Sequence, residues 1–313
     1  MSAATHSLAV HPVPSMGAED VVVAPDGTAF TGTEDGAIWA VDPATGSTRR
    51  VADTGGRPLG LELLPDGDLV VCDARLRLLR VDPASGEVEV LVGEVHGEPM
   101  RFCNNAAVAA DDTVWFSDSS LHHGIERWKD DFVQHTRTGR LLRRDPDGTV
   151  EVVLEGLAFA NGVALAADES YVAVAECRGR TVVRHWLSGP RAGERDHLAT
   201  DLPGYPDNIS RGSDGLIWVA VASPVDGLVE RLGSAPMVLR RAITKIPEAL
   251  QPKPAQTIRV QAYDDEGRLV HDLDVDRPDR GPGFHMVTGV REHGGRIWLG
   301  SLHEPSVAVL DRP

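Results

Sequence analysis

Four oxygen-bearing side chains stand at one fixed distance ahead of a turn in this chain. Each lies seven residues before an aspartate, and strand-forming residues follow that aspartate. The four pairs are Glu19 with Asp26, Asn104 with Asp111, Asn161 with Asp168, and Asp207 with Asp214. Carboxylates and amides are hard oxygen donors that suit Ca²⁺, with another divalent cation as the alternative. The spacing therefore predicts a metal centre at Glu19, Asn104, Asn161 and Asp207, although Asn and Asp also occur simply as turn residues.

The same seven-residue spacing ahead of a turn recurs at Leu59 and Val287, which have no oxygen ligand, so the chain contains six repeats. Successive turn markers are 40, 45, 57, 46 and 80 residues apart, and about 40–45 residues is the period of a four-stranded propeller blade. Equivalent positions of six blades form a ring about the common axis. The sequence therefore predicts an all-β fold, a six-bladed β-propeller, as one domain over residues 1–313. A strand between His6 and Val13 is expected to close the last blade.

The two long intervals predict insertions at about residues 121–138 and 223–255. Each falls between the second and third strands of its blade, a connection that should lie on the ligand face. The second insertion has helical spacing over Leu239, Ile243, Ile246 and Leu250. Pro236 and Pro247 should limit that helix to about three turns. We expect the insertions to form a lid or specificity cap; the alternative is a contact surface, which leaves a homo-oligomer open.

The composition of this chain argues against several classes of binding partner. The formal net charge of −16 argues against nucleic acid and anionic membrane surfaces, so a small-molecule substrate is expected. No apolar run is long enough to span a membrane, and the first residues lack the pattern of a signal peptide, which favours a cytoplasmic location. The three cysteines, Cys72, Cys103 and Cys177, have neither the spacing of a zinc site nor the number of a disulfide framework.

Three segments carry a resemblance to a known family. They are Leu-Ala-Phe-Ala-Asn-Gly-Val-Ala at 157–164, Arg-His-Trp-Leu-Ser-Gly-Pro at 184–190 and Leu-Pro-Gly-Tyr-Pro-Asp-Asn-Ile at 202–209. With these motifs the chain resembles the strictosidine-synthase-like branch of the gluconolactonase and paraoxonase superfamily of six-bladed propellers. The resemblance covers nearly the whole chain and implies a catalytic calcium on the propeller axis, with the four ring residues as ligands and Asn208 as an extra amide ligand.

Two positions depart from relatives within this superfamily. Leu59 stands where paraoxonases have a histidine of their proton-shuttle pair. Thr288 stands where plant strictosidine synthase has its catalytic glutamate, ahead of Glu292 and His293. The resemblance therefore implies the metal ligands of the hydrolases without the carboxylate that the amine–aldehyde condensation uses.

The expected activity is that of a calcium-dependent hydrolase of lactones or related esters, because a Lewis-acidic ion stabilises the oxyanion formed on attack. Asp207 is the candidate general base or nucleophile, unless it only ligates, and His285 is the second catalytic candidate. The expected substrate-binding residues are Asn104, Asn208, Phe159, Tyr205 and His123, with Phe102 and Phe284 as further pocket walls. The alternatives are a strictosidine-synthase-type carbon–nitrogen lyase and a non-catalytic ligand-binding propeller.

Overall fold

The structure of this chain is a computed structural model that describes residues 8–246, 255, 257–275 and 284–313. Six four-stranded antiparallel sheets form most of the described part. The predicted six-bladed β-propeller is confirmed. Strand β1 (Ala9–Pro12) pairs antiparallel with the last strand of the chain, Ala9 opposite Val309 and Pro12 opposite Ser306. The N-terminal strand thus completes the sixth blade, as the sequence predicted.

Each of the first three blades places its strands in chain order from the axis outward. Blade 1 contains β2 (Val22–Val23), β3 (Ala29–Gly32), β4 (Ala37–Val41) and β5 (Thr48–Asp53). Blade 2 contains β6 (Pro58–Leu63), β7 (Leu69–Asp73), β8 (Arg77–Val81) and β9 (Val88–Val92). A small hairpin of β10 (Glu94–Val95) and β11 (Glu98–Pro99) follows. Blade 3 contains β12 (Cys103–Val108), β13 (Val114–Asp118), β14 (Gly139–Arg144) and β15 (Val150–Leu157), with helix α1 (Trp128–Gln134) between its second and third strands.

The remaining blades follow the same plan. Blade 4 contains β16 (Ala160–Leu165), β17 (Tyr171–Glu176), β18 (Thr181–Trp186) and β19 (Arg195–Ala199). Blade 5 contains β20 (Gly204–Arg211), β21 (Ile217–Pro224), β22 (Arg259–Tyr263) and β23 (Leu269–Asp274), with helices α2 (Gly227–Gly233) and α3 (Met237–Ile243) between its second and third strands. Blade 6 contains β24 (Val287–His293), β25 (Arg296–Ser301) and β26 (Ser306–Asp311), completed by β1. Short 3₁₀ turns occur at Ile125–Arg127 and Gly189–Arg191.

The inner strands are buried on both faces and the outer strands on one. All six residues of β16 and of β17 are buried, which explains their runs of Ala, Val and Leu. The outermost β9 carries exposed glutamate and valine side chains instead. Apolar clusters fill the spaces between neighbouring blades, for example Ile209 and Val219 of blade 5 with Ala173 of blade 4. This packing fixes each inner strand against its neighbours at the axis.

The second insertion differs from the prediction made for it. The helix expected from Leu239 onward ends at Ile243 after two turns, and Pro247 and Leu250 lie outside the described residues. A separate helix, α2, precedes it and was not predicted. It begins where Asp226 Oδ1 accepts hydrogen bonds from the amides of Leu228 (2.7 Å) and Val229 (3.2 Å), a local cap that apolar periodicity does not reveal. Across the described ranges, no helix is both long and apolar enough to cross a membrane.

Candidate functional site

Five inner strands share an irregularity where the predicted ring begins. In each of them the pairing with the second strand shifts register at the ring position. The shifts fall between Pro58 and Leu61, Cys103 and Ala106, Ala160 and Val163, Pro206 and Ile209, and Val287 and Gly289. A register shift of this kind re-aims a side chain that would otherwise alternate in or out of the sheet. These register shifts occur where the side chains of Asn104, Asn161 and Asp207 are directed toward the axis.

Glycines next to the ring let the inner strands approach each other closely. A Cβ placed on Gly162, which follows Asn161, would lie 2.1 Å from the amide nitrogen of Ile209 in the next blade. A Cβ on Gly60 would lie 2.6 Å from the Cα of Asn105. No side chain fits at either position. The glycine after the ring residue therefore sets how tightly neighbouring blades close around the axis.

The four predicted ligands meet in one cavity on the axis. Glu19, Asn104, Asn161 and Asp207 all line it, and its empty volume is about 560 Å³ including its open mouth. Glu19, Asn104 and Asn161 are each 3% exposed, and Asp207 is partly exposed. Positions far apart in the sequence thus converge, as the constant offset of seven residues predicted.

Hydrogen bonds within the ring use the amide nitrogens. Asn208 Nδ2 donates to both carboxylate oxygens of Glu19, at 3.1 and 3.3 Å. Asn161 Nδ2 donates to Asp207 Oδ1, and Asn104 Nδ2 donates to the hydroxyl of Ser119 at 3.0 Å. Each amide is thereby oriented, and its oxygen is left for another partner.

Those oxygens have no partner among the described residues. Asn104 Oδ1, Asn161 Oδ1 and Asn208 Oδ1 are all buried without a hydrogen bond. A buried acceptor without a donor is costly, and the two that belong to residues lining one cavity, Asn104 Oδ1 and Asn161 Oδ1, favour a shared positive partner there. Together with the carboxylates of Glu19 and Asp207 they form an all-oxygen set that fits a hard divalent cation. No cluster of three or more His, Cys, Asp or Glu side chains in the described ranges could hold a metal, so a cation here needs the amides.

Burial and neighbouring carboxylates raise the pKa of both ring carboxyls. Burial raises the pKa of Asp207 to about 7, with Asp20 adding to it while the Asn161 amide opposes the shift. Burial also raises the pKa of Glu19 well above its usual value, and the charges of Asp20 and Asp207 add to it. Two carboxyls that resist ionisation side by side are stabilised in their charged form by a cation between them.

A second layer of polar contacts lies behind the ring and involves Asp20 and Asn105, each of which directly follows a ring residue. Asp20 Oδ2 accepts from the Leu61 amide at 3.1 Å and from Asn105 Nδ2 at 3.3 Å. Asn105 Oδ1 accepts from the Val163 amide at 2.8 Å. This chain of contacts links blades 1, 2, 3 and 4 directly behind the ligands. It restricts where Asn104 and Asn161 can move.

Apolar side chains form the walls above this polar floor. Phe102, Phe159 and Tyr205, which the sequence indicated, all line the cavity, whereas Phe284 packs in the core cluster between blades 5 and 6. The walls also contain residues that the sequence reasoning did not predict as pocket walls. These are Leu59, Ile125, Trp128, Phe132, Cys177, Ala222, Ser223, Met286 and Leu302. The spacing of Trp128 and Phe132, one helical turn apart, was the available signal for two of them.

Buried Arg178 ties both insertions to the propeller. Its Nε donates to the carbonyl oxygen of Phe132 in α1 at 3.2 Å. Its Nη1 donates to Glu230 Oε1 at 2.8 Å and its Nη2 to the carbonyl oxygen of Val229 at 2.9 Å, both in α2. Glu230 Oε1 also accepts from the hydroxyl of the wall residue Tyr205 at 3.0 Å. One arginine of blade 4 therefore holds two insertions and one wall in a single arrangement.

Other predicted site residues lie beside the cavity rather than in its lining. His285 pairs through Nδ1 with Glu304 Oε1 at 2.9 Å, and only its neighbour Met286 lines the cavity. The amide of His123 donates to the Ser120 hydroxyl at 3.1 Å, and His123 is absent from the lining. Asn208 acts through Glu19, as described above. The roles proposed for these three residues stay predictions.

Thr288 points away from the cavity. It is 1% exposed, and its hydroxyl donates to the backbone carbonyl oxygen of Glu19 at 2.7 Å. The side chain therefore joins blades 6 and 1 behind the ring. It supplies no acid or base to the cavity.

Comparisons with known proteins agree with this architecture. Residues 33–235 match the family described as the SMP-30/Gluconolactonase/LRE-like region. The chain is 34% identical over 267 residues to the strictosidine synthase-like 10 protein of Arabidopsis thaliana, covering 82% of this chain and 70% of that protein.

Two solved structures share the fold. A gluconolactonase from Xanthomonas campestris superposes with a TM-score of 0.70 at 18% identity, over 98% of this chain and 90% of that one. Regucalcin from Agrobacterium tumefaciens, a calcium-binding protein, superposes with a TM-score of 0.66 at 15% identity, over 96% and 90%.

Proposed function

This chain belongs to the SMP-30/gluconolactonase/LRE-like family, and from that premise we propose that it is a calcium-dependent hydrolase of lactones or related esters. One observation carries the proposal: the buried, unpartnered amide oxygens of Asn104 and Asn161 belong to residues that line the same cavity floor as the carboxylates of Glu19 and Asp207. This donor set suits calcium. The fold it shares with a calcium-binding regucalcin and with a gluconolactonase supports the same assignment.

Glu19, Asn104, Asn161 and Asp207 would hold the ion, with Asn208 beside them. Bound calcium would supply Lewis acidity that stabilises negative charge on a carbonyl oxygen of the substrate. Ester and lactone cleavage suits such a site, because attack on the carbonyl places a full negative charge on that oxygen.

Asp207 is the residue that we assign to proton transfer. It is the partly exposed carboxylate of the pair, and the Asn161 amide fixes its orientation by donating to Oδ1. As a carboxylate with one oxygen held by Asn161, it can accept a proton from a water molecule as that water attacks the carbonyl carbon. Glu19 is deeply buried and its two oxygens both accept from Asn208, so we assign it to holding charge.

The carbon–nitrogen condensation suggested by the strictosidine synthase-like relatives is the competing activity. It requires an acid–base carboxylate, and Thr288 offers a hydroxyl that is committed to a blade 1 carbonyl. Hydrolysis needs no group at that position. The ring chemistry therefore favours hydrolysis.

A lactone and ester panel assayed with calcium and with a chelator tests the proposal. We expect turnover that disappears with chelator and returns with added calcium, and calorimetry should show one calcium site. A chain that binds calcium but hydrolyses no member of the panel, while it condenses an amine with an aldehyde, would reverse the assignment.

A further inference from the structure

The walls of the axial cavity offer almost no hydrogen bonds to a substrate. Above the four ring residues the lining is carbon, apart from the side chains of Cys177, Ser223 and Tyr205, the indole N–H of Trp128 and the sulfur of Met286. The Tyr205 hydroxyl already donates to Glu230 Oε1 at 3.0 Å and accepts from the Asp226 amide at 3.3 Å. Polar recognition is thus concentrated at the floor.

Phe132 is the centre of an aromatic wall in this cavity. Its ring lies edge-to-face against Trp128, Phe159 and Tyr205, with centroid separations of 5.5, 4.9 and 5.6 Å. Phe102 extends the series through Phe159 at 5.4 Å. Edge-to-face rings hold one another in place, so the wall is a shaped apolar surface before any ligand arrives.

A second cavity continues from this wall between the insertions. It shares Trp128, Phe132, Tyr205 and Ser223 with the axial cavity, and its empty volume is about 1250 Å³ including open solvent. Leu228, Val229 and Leu232 of α2 line it, and so do the polar residues Lys129, Asp130, Asp226 and Thr244. An apolar group too long for the axial cavity has further apolar surface along this path.

From these walls we propose that the site takes a substrate with an aryl or alkyl group beside the reacting carbonyl, and that it rejects polyhydroxylated lactones. The identity of the reacting carbonyl rests on the proposed function; the apolar subsite rests on the walls alone. Each sugar hydroxyl turned toward the aromatic wall would lose its water without gaining a partner. Several such groups together predict a preference of at least ~10²-fold for the apolar substrate.

Matched lactams test the subsite without requiring turnover, because lactams resist hydrolysis. A phenyl-substituted δ-lactam and a polyhydroxylated δ-lactam are titrated calorimetrically into the protein, with calcium and with chelator. We expect measurable binding of the phenyl lactam and at least ~10²-fold weaker binding of the polyhydroxylated lactam. The corresponding lactones are then compared by kcat/KM, with the same preference expected.

Two asparagine substitutions locate the effect on the wall. Phe132→Asn should weaken binding of the phenyl lactam by about 10-fold or more, since it removes the central ring of the wall and adds an unpaired amide. Calcium affinity should stay the same, because the rings packed against Phe132 are those of Trp128, Phe159 and Tyr205, and none of these is a ring ligand. Val238→Asn is the control: Val238 lies on α3, is 83% exposed and lines neither cavity, so lactam binding should match the wild type.

The outcomes separate this inference from the proposed function. Equal or tighter binding of the polyhydroxylated lactam, or no binding of either lactam, would overturn the apolar subsite. An unchanged phenyl lactam affinity in folded Phe132→Asn would also overturn it. Selective lactam binding without hydrolysis of either lactone would leave the subsite standing and reject the hydrolase.

Discussion

The floor of the cavity comes from equivalent positions of four blades, whereas its cap comes from two insertions that each occur once. The floor residues Glu19, Asn104, Asn161 and Asp207 present oxygen, and the cap residues Trp128 and Phe132 present aromatic carbon. A repeated position keeps its place in space because the blades repeat. An insertion is free of that constraint, since it joins two strands that pair without it. We infer that the floor holds the chemistry and the cap the choice of substrate.

The largest expected effect is that of replacing Asp207, a change that distinguishes a role in proton transfer from a role in metal ligation. Asp207→Asn should reduce kcat by more than ~10²-fold even at saturating calcium, because the amide keeps an oxygen donor but cannot accept a proton. Steady-state kinetics across a calcium titration measures this. Recovery of most of the rate at high calcium would make Asp207 a ligand only. His285→Gln should then be the damaging change; otherwise we expect it to stay within a few-fold of wild type.

A pH series would test whether the floor carboxyls act as a charged pair. Their raised pKa values mean that the calcium-free fold binds protons more tightly than the unfolded chain. The contribution of these two carboxyls to its stability is therefore greatest below the usual carboxyl pKa and is lost as the pH rises through about 7, the pKa of Asp207.

Calcium must displace those protons. Below pH ~7, the calcium affinity should thus drop by up to ~10-fold per pH unit for each proton that calcium displaces. The increase in Tm on adding calcium should grow from pH 5 to pH 8. Calorimetry and thermal unfolding at matched ionic strength give both quantities. A calcium affinity that is flat over this range would contradict the pairing.

A change in the cap should affect substrate binding and leave the metal alone. Arg178→Met removes the contacts from Arg178 to α1 and α2, so we expect a loss of about 1–3 kcal/mol in the free energy of unfolding. KM for an apolar substrate should rise roughly 10-fold with kcat changed less, because the wall loses its fixed position. Chemical denaturation, kinetics and calcium calorimetry measure the three quantities.

Arg180→Met is the matched control for that change. Arg180 lies two residues away on the same blade and donates to the carbonyl oxygen of Leu202 at 2.9 Å, without reaching either insertion. Its KM should equal that of the wild type. If Arg178→Met instead weakened calcium binding, the floor and the cap would be coupled and the division drawn above would fail.

The sequence by itself determined the blades, the closing strand and the position of the ring. Turn aspartates and apolar runs recur with the blade, so the period and the offset of Asn104 or Asn161 could be read without coordinates. These features are local, since each strand forms from its own residues and its own turn. The same logic placed the insertions on the ligand face, because strand direction alternates along a blade.

Tertiary structure alone decided which side chains the cavity receives. Nothing in the spacing distinguishes Phe159, which lines the cavity, from Phe284, which packs between blades, because both precede an inner strand. Arg178 carries no local signal either, since its partners lie 46 to 52 residues away in two different insertions. Contacts between segments that do not repeat depend on packing in three dimensions, and no periodicity records them.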